Sequence, residues 1–483
     1  MDKVKDDNKQ TREGDGEIAL RSGFWYIISN VLIRAVGIIT APIYTRLLTT
    51  AETGYANNFN NYVSIFSVVC GLCLIYSVGR AKLDFKEDFD AYMSSIQCLS
   101  SGFSMIILIL VMIFFPSGGL LFKFPRLVIF ILFAYLTVFP SIDYMQYKYR
   151  FEYRYKENIA ISVIITVATV LITVLLLLFA PGEKGFLKIL GTVIPSGAVA
   201  VWCYVNLVGK GKVLFNREYW SYALKIGIPM IPHGLALILL SRIDVSMISE
   251  YYGFSEVGLY TSGYTIGTLL MFVTNAVGQA WLPYFNEHLY SSDVEGIREK
   301  NRIMMFYGCV LTLVFIAAAP LAVKLLFAKS YWDSMWVVPP VALGTLCQYF
   351  YTNYVNAELF HKKTFLIAFN SCIAAAVNIG LNAYFIPRFG YIAAAYTTLA
   401  GYFFLMILHY IATRHVLKLK LYHDGLYFLM LTLTCLTGIL TAYLYPHPVI
   451  RYLLIAVVML VLAIVRKNDI IIFTGIIRKK LKG

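Results

Sequence analysis

Fourteen apolar stretches, each long enough to cross a bilayer as a helix, run from about Gly23 to about Val465 and leave connections of at most roughly twenty residues. Almost no mass is left for a soluble domain. A mean hydropathy of +0.69 with only 14% charged residues denies the chain a water-facing globular surface. The expected fold is an all-α polytopic membrane protein.

The spans are read as 23–45, 57–79, 93–116, 126–147, 158–180, 186–208, 221–243, 256–281, 303–327, 337–360, 364–386, 390–413, 424–445 and 449–465. With the N-terminus inside, the cytosolic segments hold a roughly threefold excess of Lys and Arg over the outer loops, which places both termini in the cytosol. The net charge of +14 is then mostly this bias plus attraction to anionic headgroups, and gives no ground for nucleic acid as a partner. Residues 1–22 lack an apolar core and a cleavage site and read as a cytosolic tail; 466–483 read as a basic cytosolic tail. The eight cysteines lie in or beside apolar spans and serve as small buried hydrophobes, Cys70 and Cys73 of the CxxC included. No metal or cofactor motif is present, and no GxxxxGK[ST] phosphate loop.

An internal repeat organises the spans. Ala51-Glu52-Thr53-Gly54-Tyr55, opening span two, is echoed by Ser255-Glu256-Val257-Gly258-Leu259, opening span eight. Pro181…Gly185-Phe186-Leu187 before span six is echoed at nearly the same offset by Pro387…Gly390-Tyr391-Ile392 before span twelve. A shift of six spans conserves orientation, so two parallel six-helix repeats are expected around a central cavity. They are an N-terminal lobe at 23–208 and a C-terminal lobe at 221–413, joined by a cytosolic linker at 209–220 and followed by two extra helices at 424–465.

Several of these residues also carry a resemblance. Tyr44-Thr45-Arg46-Leu47-Leu48…Glu52-x-Gly54-Tyr55, the tract Gln146-Tyr147-Lys148-Tyr149-Arg150, and Ile226-Gly227-Ile228-Pro229…Pro232…Ser241-Arg242-Ile243-Asp244…Gly253-Phe254…Glu256-x-Gly258-Leu259-Tyr260 resemble the polysaccharide transporters. These include O-antigen and capsule repeat-unit flippases of the multidrug/oligosaccharidyl-lipid/polysaccharide exporter superfamily. The resemblance covers residues 20–465 and implies two six-helix lobes, alternating access and a lipid-diphosphate-linked oligosaccharide as cargo. Fourteen spans exceed the twelve typical of many members, which bears on the subfamily more than on the fold.

Polar residues inside the spans are the candidate site. Asn30, Arg34, Gly37, Thr40 and Tyr44 form one stripe on span one at helical spacing. Tyr260, Tyr264, Thr268, Asn275 and Gln279 do so on span eight; Asn57, Asn61 and Ser64, Gln348, Thr352 and Asn356, and Asn378 and Asn382 mark spans two, ten and eleven. Stripes from both halves imply a hydrated cavity, whose neutral amides suit sugar hydroxyls, whereas a guanidinium suits a diphosphate. The expected cargo-binding set is Arg34, Asn30, Thr40, Asn61, Lys225, Tyr264, Asn275, Gln279, Asn356 and Asn378. Each has a structural alternative: Asn and Thr can simply bond neighbouring helices, Arg34 can pair with a carboxylate, and Lys225 can snorkel.

Arg242 and Asp244 are expected at the outer end of span seven as an interfacial pair or gate, with His233 as a proton acceptor and Pro229 and Pro232 as a kink. Asp143 and Glu358 near the cytosolic ends of spans four and ten read as solvated, and Lys148–Lys156 reads as an interfacial loop. The expected protein is a flippase rather than an enzyme, in the bacterial cytoplasmic membrane. Its partners would be a polyprenyl diphosphate-linked oligosaccharide, membrane lipids and a polysaccharide polymerase. Two alternatives stand beside it: a cation-coupled drug exporter of the same superfamily, and a membrane polymerase or ligase acting on lipid-linked sugars.

Overall fold

Apolar runs of this length form helices because a helix bonds its own backbone and asks nothing of the surrounding hydrocarbon. The computed structural model describes residues 36–37, 39–115, 123–152, 154–453 and 456, and within them every regular element is helical. After a helical run ending at residue 47 come α1 (Thr50–Cys70), α2 (Ile75–Asp84), α3 (Phe89–Phe114), α4 (Arg126–Val138), α5 (Pro140–Phe151), α6 (Tyr155–Phe179), α7 (Lys184–Gly211) and α8 (Arg217–Tyr251). They are followed by α9 (Phe254–Gly267), α10 (Leu270–Tyr290), α11 (Val294–Leu326), a 3-10 segment (Lys329–Trp336), α12 (Val338–Phe360), α13 (Thr364–Phe389), α14 (Tyr391–Ile411) and α15 (Asp424–Tyr443).

Expected spans two to thirteen each coincide with a helix or helix pair. Among the described residues nine helices are long and apolar enough to cross a membrane, or up to eleven if each bent pair is one span. α12, at the tenth expected span, is too polar to be counted among them. Its polarity has a structural reason, because 17 of its 23 residues are buried inside the protein rather than turned to lipid. The tails, most of span fourteen, and Asn30 and Arg34 lie outside the described residues.

Two expectations are corrected. The connection 282–302 left between expected spans eight and nine is not a loop: α10 and α11 continue through it and leave only Ser291–Asp293 between them. Nor is Lys148–Lys156 simply an interfacial loop, since α5 runs to Phe151 and Lys148 is 3% exposed, ion-paired with Asp90. Its aliphatic stem is buried while the ammonium reaches a carboxylate, as long cationic side chains do at a helix end.

The described chain forms two compact units. One holds residues up to Ser262 with Leu326–Asp333 and Thr364–Gly401; the other holds Gly263–Leu325, Ser334–Lys363 and the chain from Tyr402 onward. In the first unit two spans are broken. α1 and α2 meet at 42° across Gly71–Leu74, where Leu72 and Cys73 adopt left-handed backbone angles of 50° and 51° in φ. The CxxC is thus the hinge of a broken helix, with both thiols free. The two parts of α8, Arg217–Ala236 and Ile238–Tyr251, meet at 51°, just past Pro229, Pro232 and Gly234.

Candidate functional site

The start of α1 is set locally. Thr49 caps it, its hydroxyl accepting from Glu52 N at 3.2 Å while the Glu52 carboxylate accepts from Thr49 N at 2.7 Å. Glu52 of the repeated Glu-x-Gly motif therefore starts the helix, and the glycine serves packing. A Cβ on Gly54 would lie 1.7 Å from Phe254 O, and one on Gly258 would lie 2.0 Å from Thr50 O. The backbones of α1 and α9 cross in contact at the two glycines of the repeat.

Hydrogen bonds extend this crossing. Asn57 donates to Thr261 at 2.7 Å across 204 positions, and the hydroxyls of Thr50 and Ser255 lie 2.8 Å apart across 205. The sequence offset of the repeat is therefore also a spatial contact. Asn58 and Asn61 fasten α1 to α8, donating to Ser249 at 3.1 Å and Ser246 at 2.7 Å. Thr53 and Tyr331 share a 2.6 Å hydroxyl contact beneath them.

Asp244 lies one step away on α8 and is 1% exposed. Its carboxylate accepts from Tyr260 of α9, from Thr398 of α14 at 3.3 Å, and from Val245 N at 2.8 Å. The interfacial pair with Arg242 does not form; Arg242 is exposed, because two residues apart on a helix point to opposite sides. Beside this acid, Asn378 donates to Thr397 O at 3.1 Å, Asn382 donates to Asn378 at 3.1 Å, and Thr397 donates to Asn382. These bonds clasp α13 to α14 with all three residues buried.

A different environment occurs in the second unit. α10 and α12 enclose a cavity of about 220 Å³ lined by Thr274, Asn275, Gly278, Trp281 and Leu282 from one helix and Thr345, Gln348, Tyr349, Thr352, Asn353 and Asn356 from the other. Asn275 of the span-eight stripe thus meets the whole span-ten stripe in one place. Asn353 is fixed, donating to Tyr349 O at 2.9 Å and accepting from Asn301 at 2.8 Å. Periodicity had pointed to Asn275, Gln348, Thr352 and Asn356, whereas Asn353, Tyr349 and Trp281 were missed because each lies off the selected stripe.

Below this cavity Glu358 of α12 and His409 of α14 are 0% and 1% exposed and bonded at 2.9 Å, with Tyr351 stacked on the imidazole at 5.5 Å. This corrects the solvated reading of Glu358, whose carboxyl group is met by a buried ring instead of water. His409 was missed, although one lone histidine and one lone glutamate in two apolar spans were a readable signal. Asp143 is exposed and lines a 260 Å³ hollow at the α1/α2 break, with Gly71, Cys73, Pro140, Tyr144 and Gly234.

The other expected positions are scattered. Thr40 donates to Gly37 O of its own helix at 3.2 Å. Lys225 is exposed and lines an open hollow of about 570 Å³ with Trp220 and the exposed Pro229. Tyr264 is half-buried, Pro232 is exposed, and the side chains of His233 and Gln279 lie outside what is described.

Comparison with solved structures places this fold. The lipid II flippase MurJ in an inward closed conformation matches at a TM-score of 0.67 and 14% identity, over 93% of this chain and all of that one. An inward-facing multidrug resistance MATE family transporter of the MOP superfamily matches at 0.59 and 15%, over 80% of this chain and 93% of that one. The Vibrio cholerae MATE transporter VcmN matches at 0.53 and 14%, over 86% and 99%. The chain has the MOP-superfamily fold and is a multi-pass membrane protein. Comparison with curated protein sequences finds no match. A family profile described as "Polysaccharide biosynthesis protein" matches residues 19–288, more than half the chain, and the chain belongs to that family.

Proposed function

We propose that this chain is a flippase that carries a lipid-diphosphate-linked oligosaccharide across the bacterial cytoplasmic membrane by alternating access, with both termini cytosolic. The six-helix lobes at 23–208 and 221–413 would move against each other, and the helices at 424–465 would stand beside them. The observation that carries the reading is the neutral cavity between α10 and α12, found in a member of a polysaccharide biosynthesis family. Amides and hydroxyls suit a glycan, whereas a cationic drug calls for carboxylates.

The α1/α9 crossing supports alternating access as an outer closure. Its fastenings are neutral hydrogen bonds, worth about 0.6 kcal/mol each inside a membrane, so the closure is reversible. Asp244 ties the bent α8 to α9 and α14, which suits a coupling or gating role. His233, Pro229 and Pro232 lie within the same bending helix, and Arg242 lies at its far end. Arg34 is proposed to hold the diphosphate. With about two negative charges moving outward, an inside-negative potential assists by roughly 2.3 kcal/mol per charge per 100 mV. Thr40, Lys225 and Tyr264 remain proposed cargo contacts along the route.

One observation favours a second reading. Asp143 opens into the hollow at the helix breaks, as a cation-handling drug exporter would require. Deleting the gene in its host separates the two. The flippase reading predicts lipid-linked glycan trapped on the cytosolic face, cured by the wild type and not by Arg34→Ala. Normal glycan delivery with hypersensitivity to cationic drugs would favour the exporter. Delivery of unjoined units to the outer face would favour a polymerase or ligase.

A further inference from the structure

The amide residues of the second unit differ in one respect that matters for binding. Asn353 has its amide engaged on both sides, whereas Asn275 and Asn356, lining the same cavity, have no hydrogen-bond partner among the described residues. Asn275 is exposed and Asn356 is 9% exposed, so the latter is a nine-tenths buried amide left open on a cavity wall. Trp281, 4% exposed on the same wall, keeps a buried indole N–H with no partner. Unpaired amides are costly inside a membrane, where neighbouring helices usually satisfy them. Two that face one cavity offer two acceptors and four N–H donors to whatever enters.

We propose that this cavity is a subsite for one uncharged sugar ring of the cargo, a reading that rests on the flippase function above. Its volume of about 220 Å³ gives room for a single sugar ring. Among the described residues no charged side chain lines it. A diphosphate or a sugar carboxylate would lose its hydration there without gaining a counter-charge, so the site selects neutral hydroxyl and amide groups. The fixed Asn353–Asn301 bond holds the α12 wall in place while Asn275 and Asn356 reach the ring from opposite sides.

The test uses the full chain in vesicles, with Asn275→Cys labelled by a membrane-permeant maleimide and the unaltered chain as background. Two probes are added: the lipid-linked glycan fraction from cells lacking this protein, and sugar-free polyprenyl diphosphate. The proposal predicts that the glycan-bearing lipid slows labelling several-fold and the sugar-free lipid does not. It also predicts that Asn275→Ala and Asn356→Ala together lower the initial rate of glycan translocation about tenfold, with an unchanged melting temperature. Equal protection by both probes would make the cavity a lipid or phosphate site and overturn the proposal. Unprotected labelling while the wild type translocates would overturn it too, as would a double variant that translocates at the wild-type rate. A wild type that translocates no glycan would instead bring down the flippase reading itself.

Discussion

Asn57, Asn58 and Asn61 on α1 and Asn275 and Asn356 on the α10/α12 wall end in opposite states. On α1, Asn57, Asn58 and Asn61 each donate to a hydroxyl of α8 or α9 at 2.7 to 3.1 Å, beside a glycine crossing with no spare room. On the α10/α12 wall, Asn275 and Asn356 reach a 220 Å³ space and bond nothing described. The same residue type therefore fastens helices in one region and is left open in the other. Polarity within a span does not separate the two roles; the partner does.

The contrast is broken most severely at the crossing. Gly258→Leu drives a side chain into the Thr50 backbone and must part α1 from α9; overpacking of this kind costs about 1–3 kcal/mol or more. Thermal unfolding in detergent should show a large drop and glycan export should cease. Gly278, on the cavity wall, has nothing within 4 Å of a Cβ, so Gly278→Ala should leave the melting temperature in place.

Glu358→Ala leaves His409 without its buried partner and should cost about 1–3 kcal/mol. Adding His409→Ala should give less than the sum of the two single losses, because they share one bond. Thr49→Ala removes the α1 cap and should cost about 1 kcal/mol, read as a modest fall in melting temperature with export retained. Asn61→Ala should cost only about 0.6 kcal/mol and leave export near wild type. An Asn61→Ala variant that exports poorly while melting normally would show that the α1 asparagines handle cargo, and would erase the distinction drawn here.

Much of the architecture was legible because it depends on composition and period. Apolar runs marked the helices, and the Glu-x-Gly echo marked a repeat whose glycines prove to lie against each other. The limits were equally physical. Hydropathy reports transfer to lipid, so it could not show that α10 and α11 continue through 282–302, nor that α12 is polar because protein surrounds it. Periodicity put Asn61, Asn356 and Asn378 on helix faces without saying what those faces meet. Asn378 meets Thr397, Asn61 meets Ser246, and Asn356 meets open space. Glu358 and His409 each stand alone in an apolar span and were readable there, but they lie 51 positions apart and only the packing of α12 on α14 pairs them.

Glycan flipping can be followed by reconstituting the pure protein in vesicles loaded on one leaflet with the lipid-linked glycan and detecting its appearance on the other with an impermeant lectin. Flipping by alternating access requires transfer that depends on the protein, accelerates under a membrane potential positive on the receiving side, and stops when Thr50 and Ser255 are replaced by cysteines and cross-linked. Transfer no faster than in protein-free vesicles, or transfer unaffected by that cross-link, would contradict it.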